Sequence, residues 1–168
     1  MTTEYPKELI ADLLHSRLSP QEIERMQRQE KDPDRFDKVL EVEGGRLGWS
    51  DRILVCLQEH LLVVEKEDGA RVVRCDCGHE FGDYRRNWKE SALVYERDPR
   101  DGRVYRGPRA ADPEWHVLRE FSCPGCASQL DVEMVPKGYP FIFNFLPDIE
   151  GHETRAGTGA TDGDAGGG

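Results

Sequence analysis

The sequence has 168 residues, enough for one modest core plus appendages, and 33% charged against 37% hydrophobic residues is a soluble balance on the polar side. No run approaches the roughly 18 to 20 apolar residues of a membrane span, and the stretch up to Leu18 mixes charged with apolar residues, unlike a secretory signal. A net charge of −10 repels phosphate backbones, so the expectation is a cytoplasmic protein without nucleic-acid or membrane partners.

Residues 1–48 read as a helical segment. Leu9, Ile10, Leu13, Leu14 and Leu18 recur at three- and four-residue spacing and line one stripe of a first helix. Ser19-Pro20-Gln21-Glu22 is a capping box with proline at the first helical position, so a second helix starts there with Ile23 and Met26. Asp32-Pro33 repeats the start signal, with Phe36, Val39 and Leu40 inward and Gly44-Gly45 as the stop. Such thin stripes cannot make a self-sufficient bundle. They must pack on the following domain or on a partner chain, and the partner is the preferred reading.

From Arg52 the texture turns to strands: Ile53-Leu54-Val55-Cys56-Leu57, Leu61-Leu62-Val63-Val64 and Arg71-Val72-Val73, the last after an Asp68-Gly69 hairpin signal. Cys56 sits inside an apolar run far from other cysteines and reads as a small core residue. Next come Val-Arg-Cys75-Asp-Cys77-Gly-His79, then Trp88 with Leu93-Val94-Tyr95 as a short element and a strand. Between positions 84 and 109 arginine and lysine outnumber acids, a surface for an acidic partner or a phosphate, or simply a solvated loop. Residues 115–121 form the strand that delivers Ser-Cys123-Pro-Gly-Cys126. Residues 130–135 leave it, with Asp131 and Glu133 alternating against Leu130, Val132 and Met134. The run 139–147 is apolar, uncharged and bounded by prolines; it is a core strand or an arm for a larger partner. The Gly-rich stretch 154–168 has nothing to bury and is expected to be a disordered tail.

Four of the five cysteines therefore stand in two pairs, each straight after a strand. Two thiolate pairs on tight turns complete a tetrahedral site for a borderline divalent ion such as zinc. The expected ligands are Cys75, Cys77, Cys123 and Cys126. The second pair has ordinary knuckle spacing, and the first has one residue between its cysteines, which an extended backbone still points to one side. The same arithmetic makes His79 a reserve ligand. A disulfide pair, four small buried residues and a rubredoxin-like iron site are the alternatives, and a reducing compartment disfavours the disulfide. Four protein ligands leave no position for substrate, so the ion is structural and no catalytic residue is expected in this chain. The whole is α+β: short N-terminal helices over 1–48, a mainly antiparallel zinc-ribbon-like β domain over 49–136, an extended apolar arm over 137–153 and the tail.

Together, R-C-D-C-G-H-E-F, N-W-K-E-S-A, W-H-V-L-R-E-F-S-C-P-G-C and Y-P-F-I-F-N-F-L-P-D-I-E-G resemble the acetone carboxylase γ subunit family, including the γ subunit of acetophenone carboxylase. The likeness covers roughly 49–151, and K-D-P-D-R-F in the helical segment also fits. The resemblance implies a small zinc-bearing subunit of a cytoplasmic, ATP-dependent ketone carboxylase. In such a complex two larger subunits related to hydantoinases and oxoprolinases carry ATP, any other metals and the carboxylation. It places the family's cysteines on Cys75, Cys77, Cys123 and Cys126, with the one-residue first spacing as the family's own pattern. Gly82, where some relatives carry another cysteine, is a departure. The competing class is a free-standing zinc-ribbon module binding nucleic acid or a regulatory protein, with a zinc redox sensor as a further reading.

Overall fold

In the computed structural model, which describes residues 4–101 and 111–151, three short helices precede two antiparallel sheets. The helices are α1 (Lys7–Leu14), α2 (Pro20–Arg28) and α3 (Arg35–Leu47). Ser19 and Glu22 cap α2 reciprocally: the Ser19 hydroxyl accepts from the Glu22 N–H, and the Glu22 carboxylate accepts from the Ser19 N–H at 2.8 Å. The first helix is shorter than its stripe suggests. The chain turns at Ser16, at φ 55°, yet Leu18 still packs against the Tyr5, Ile10 and Met26 cluster.

Gly44-Gly45 does not stop the third helix. It runs through both to Leu47 and ends at Gly48, whose φ of 63° lets its N–H reach the Gly44 carbonyl at 3.0 Å. Each interior glycine weakens a helix by about 1 kcal/mol against alanine, which packing overrides here. Val39 and Val42 join the helical cluster, while Leu40 and Leu47 cover Ile53, Leu62 and Val64 of the sheet. The helical segment is therefore seated on the β domain through α3, and docking of this helix needs no partner chain.

Asp32 is not a helix cap. It is buried and accepts hydrogen bonds from Lys38 Nζ at 2.8 Å, the Tyr5 N–H at 2.7 Å and the Asp34 N–H at 2.9 Å. The Lys38 contact first, then the Tyr5 N–H, hold its carboxyl down to about 2. Its folded value lies below the roughly 3.9 of an unfolded chain, so its contribution is complete above about pH 4 and is lost as pH falls toward 2. Amide exchange in α1 and α3 is expected to quicken over that window, and an Asp32→Asn chain should show no such acid step.

The first sheet has the order β1 (Arg52–Gln58), β2 (Leu61–Glu65), β3 (Arg71–Cys75), β4 (Glu80–Asp83), all antiparallel. Strand β2 is buried on both faces: Leu61 and Val63 enter the main core, and Leu62 and Val64 meet α3. At the hairpin Gly69 takes φ 81° and the Lys66 N–H donates to the Ala70 carbonyl at 2.9 Å. A 3-10 turn, Trp88–Ser91, leads to the second sheet, ordered β5 (Leu93–Arg97), β6 (His116–Ser122), β7 (Gln129–Pro136).

On β7 the alternation runs opposite to a simple apolar-inside rule. Glu133 is buried and Asp131 largely so, whereas Val132 and Met134 are exposed, as are Leu93 and Tyr95 of β5. The cause is Lys89, which is fully buried: its Nζ lies 2.5 Å from Asp131, 2.5 Å from Glu133 and 3.1 Å from Asn144 Oδ1. Trp88 and Phe121 present ring faces to the same ammonium at 5.8 Å and 5.1 Å.

The run 139–147 forms no strand. It is a strap laid over the inner face of the second sheet, where Arg119 donates to the Tyr139 carbonyl at 2.7 Å and the Ile142 N–H donates to Glu133 at 3.0 Å. Phe141 packs edge-on against Phe121, and Ile149 closes the main core. The rest of its apolar residues stay in solvent: Tyr139, Ile142, Phe143, Phe145 and Leu146 are between 38% and 53% exposed. The expected Gly-rich tail lies outside the described residues.

Candidate metal centre

Each sheet delivers one cysteine pair at a hairpin. At the β3–β4 turn the Cys75 N–H donates to the His79 carbonyl and the Gly78 N–H to the Cys75 carbonyl, both at 2.8 Å, with Gly78 at φ 97°. At the β6–β7 turn the Cys123 N–H donates to the Ser128 carbonyl at 2.9 Å and the Ala127 N–H to the Cys123 carbonyl at 2.8 Å. These tight turns aim four sulfurs at one point. The four Sγ atoms lie within 4.8 Å of one another, with Cys75 to Cys126 at 3.8 Å and Cys77 to Cys123 at 3.7 Å.

Sulfurs at roughly 2.3 Å from a tetrahedral ion stand about 3.8 Å apart, so the donor set fits a four-thiolate divalent centre. It does not fit disulfides, whose S–S bond is about 2.05 Å. His79 is not in the group. Its ring stands edge-on to Phe81 at 5.0 Å, and its Cβ would lie only 2.9 Å from a Cβ added to Gly125. That close approach accounts for glycine inside the second knuckle: a side chain there would also meet Cys77 Sγ at 3.2 Å.

The four thiols are not equivalent. Cys75 and Cys123 are buried in the main core, and Cys77 and Cys126 are exposed. Burial pushes the Cys75 thiol up, while the Ser128 hydroxyl, 3.3 Å away, and the Ser128 N–H hold Cys126 down to about 6. Metal loading must displace the remaining protons, which makes affinity rise with pH. Asp76, between the first two cysteines, ties the knuckle to the rest of the fold: it contacts His60 Nδ1 at 2.9 Å and Arg46 of α3 at 3.7 Å.

Cys56 lies apart from the cluster, half-buried under α3, and burial pushes its thiol up to about 11. A group so reluctant to ionise is a poor ligand. A Cys56→Ala chain is expected to keep its full metal content and lose only about 1 kcal/mol of stability, read by metal analysis and thermal melting.

Among the described residues, the arginine-rich stretch is largely neutralised. Arg85 pairs with Asp83 at 2.6 Å, Arg100 with Asp98 at 2.9 Å, and Arg97 with both Glu120 at 2.8 Å and Asp101 at 2.9 Å. Lys89 is inside the protein, and Arg103, Arg106 and Arg109 lie outside the described residues. The cage around Lys89 escaped a pattern reading, although charges set at every second position of a strand were its trace.

A run of edge-to-face rings leads away from the knuckle: His79, Phe81, Trp88, Phe121 and Phe141, with successive centroids 5.0, 5.7, 6.2 and 5.2 Å apart. It connects the sulfur cluster to the strap.

Comparison with known proteins adds a family. A family model described as acetone carboxylase gamma subunit matches residues 47–156. The acetone carboxylase gamma subunit of Xanthobacter autotrophicus is 38% identical over 150 residues, 88% of this chain and 89% of the relative. The acetophenone carboxylase beta subunit of Aromatoleum aromaticum is 34% identical over 84 residues, 48% of this chain and 65% of the relative.

Proposed function

Because the chain belongs to the acetone carboxylase gamma subunit family, we propose that it is the small zinc-carrying, non-catalytic subunit of an ATP-dependent ketone carboxylase, clamping larger catalytic subunits together. The partners of this reading are two larger hydantoinase- and oxoprolinase-like subunits in the cytoplasm, which hold ATP and the reacting ketone. The observation that carries it is the strap, which presents exposed Tyr139, Ile142, Phe143, Phe145 and Leu146 from a backbone fixed by Phe141 and Ile149.

Zinc bound by Cys75, Cys77, Cys123 and Cys126 would pin the two hairpins to each other, supplying structure and no reactive position. The rings from His79 to Phe141 pass that rigidity to the strap. An apolar surface that is already ordered loses little entropy on docking. At about 25 cal/mol per Å², burying a few hundred Å² of it contributes several kcal/mol before binding costs. On this reading residues 1–48, 49–136 and 137–153 are a seated helical segment, a zinc ribbon and a contact arm, not independent units.

Deleting the arm would also remove Phe141, which packs on Phe121, and Asn144, which accepts from Lys89, so the sharper test changes only outward residues. A Phe145→Ser, Leu146→Ser chain is expected to fold and keep its metal but fail to co-purify with the large subunits, with loss of complex activity. Normal assembly by that variant would remove the arm from the interface. Turnover of a ketone with ATP by the purified chain alone would overturn the non-catalytic role.

A further inference from the structure

Of the four clustered cysteines, one in each knuckle is buried and one is exposed: Cys75 and Cys123 in the core, Cys77 and Cys126 at the tips. We propose that Cys77 and Cys126 form an oxidisable pair, closing a disulfide across the two knuckles when a hydroperoxide reaches them and releasing the ion. The inference rests on the reading of the cluster as a metal centre.

Access decides which sulfurs react first. Cys75 and Cys123 have no exposed surface, so a peroxide meets only the tip thiolates. Distance does not choose the pair, since all four sulfurs lie within 4.8 Å and the contacts at 3.7 and 3.8 Å each join a tip to a buried sulfur; freedom to rotate does. The two tip sulfurs are within 4.8 Å of each other, and each sits on a turn outside the core. Bond formation needs an approach to about 2.05 Å, which rotation of these side chains can supply. Gly125 leaves Cys77 Sγ uncrowded, since a Cβ there would stand 3.2 Å from it. The buried sulfurs are packed in the core with Leu61, Val73 and Phe121, which leaves their side chains less free to turn than those of the exposed tips.

The chemistry balances with the hydroperoxide as sole oxidant. The Cys126 thiolate, with the Ser128 hydroxyl 3.3 Å from its sulfur, takes the terminal peroxide oxygen; the O–O bond breaks and the alcohol leaves after protonation. The Cys77 thiolate attacks the resulting sulfenic sulfur, the S–S bond forms, and hydroxide leaves to become water. Two electrons pass from the sulfur pair to the peroxide. Two of four ligands are gone, and the ion dissociates.

The test uses zinc-loaded full-length chain, free and in its complex, treated with hydrogen peroxide. Released zinc is followed with a colorimetric chelator and disulfides are mapped by mass spectrometry. The expected result is one Cys77–Cys126 bridge per ion released, reversed by dithiothreitol and added zinc. A Cys126→Ser chain tests the same point without relying on a bridge: if it still folds with metal, its release by peroxide should slow at least tenfold, and if it does not, the mapping in the unaltered chain decides. A bridge that includes Cys75 or Cys123, or zinc retained under peroxide that fully oxidises a free thiol control, would overturn the inference. Purified chain that carries no metal at all would instead overturn the metal reading beneath it.

Discussion

Replacing Cys123 by serine is expected to leave a chain that binds no metal and does not hold its two sheets together. Cys123 has no exposed surface and belongs to the same core cluster as Cys75, Phe121 and Leu61. A hydroxyl is a hard, weakly acidic donor that a zinc-type ion rejects in favour of thiolate. Structural zinc contributes roughly 10 kcal/mol or more, comparable with the ~5–15 kcal/mol that stabilises an ordinary domain. The two knuckles are joined by a long intervening chain whose closure the metal would otherwise secure. Metal analysis by mass spectrometry should fall from one ion per chain to none, and the cooperative thermal transition should disappear. A Cys123→Ser chain with one bound ion and an unchanged melt would mean that the ligand set is wrong.

The second large effect is predicted at Lys89. Truncating it to alanine leaves Asp131 and Glu133 facing each other inside the protein, with Asn144 and two ring faces losing the same cation. Removing one partner of a buried ion pair costs about 3–5 kcal/mol because the remaining charge is stranded. Glu133 is already short of partners: its second oxygen accepts no hydrogen bond among the described residues. Chemical denaturation should show that loss for Lys89→Ala, while the triple variant Lys89→Met, Asp131→Asn, Glu133→Leu recovers most of it. If the single variant melts as the unaltered chain does, the cage is not holding the turn, strand and strap together.

Much of the fold could be read in advance because its signals are local. The Ser19 capping box, the Asp68-Gly69 hairpin and the spacing of both cysteine pairs each act within a few residues, and each element stands where its signal places it. The grouping of the four cysteines was legible for the same reason, since two short turns specify it. What misled was anything settled by distant packing. Gly44-Gly45 has the chemistry of a helix stop, but α3 is held on both flanks and the left-handed turn falls at Gly48. The acids of β7 face inward only because a lysine from a turn over forty residues earlier meets them there. The run 139–147 was open to reading as a core strand or an extended arm, and it is the arm: no strand among the described residues offers its backbone a ladder, and polar groups of Asn87, Arg119 and Glu133 hold it instead. The arginine surplus between 84 and 109 was open to reading as an anion surface or a solvated loop, and among the described residues acids two positions before Arg85 and Arg100, with Glu120 and Asp101 at Arg97, pair with them.

The strap also bears on how the protein is made. Ile149 fills the main core, and Glu150 accepts a hydrogen bond at 2.9 Å from Tyr84, a residue synthesised long before it. The interior around Trp88 and Phe121 thus lacks its last wall until the chain has been translated almost to the end of the described residues. Chains released before Ile149 would carry all four clustered cysteines and still leave that interior open.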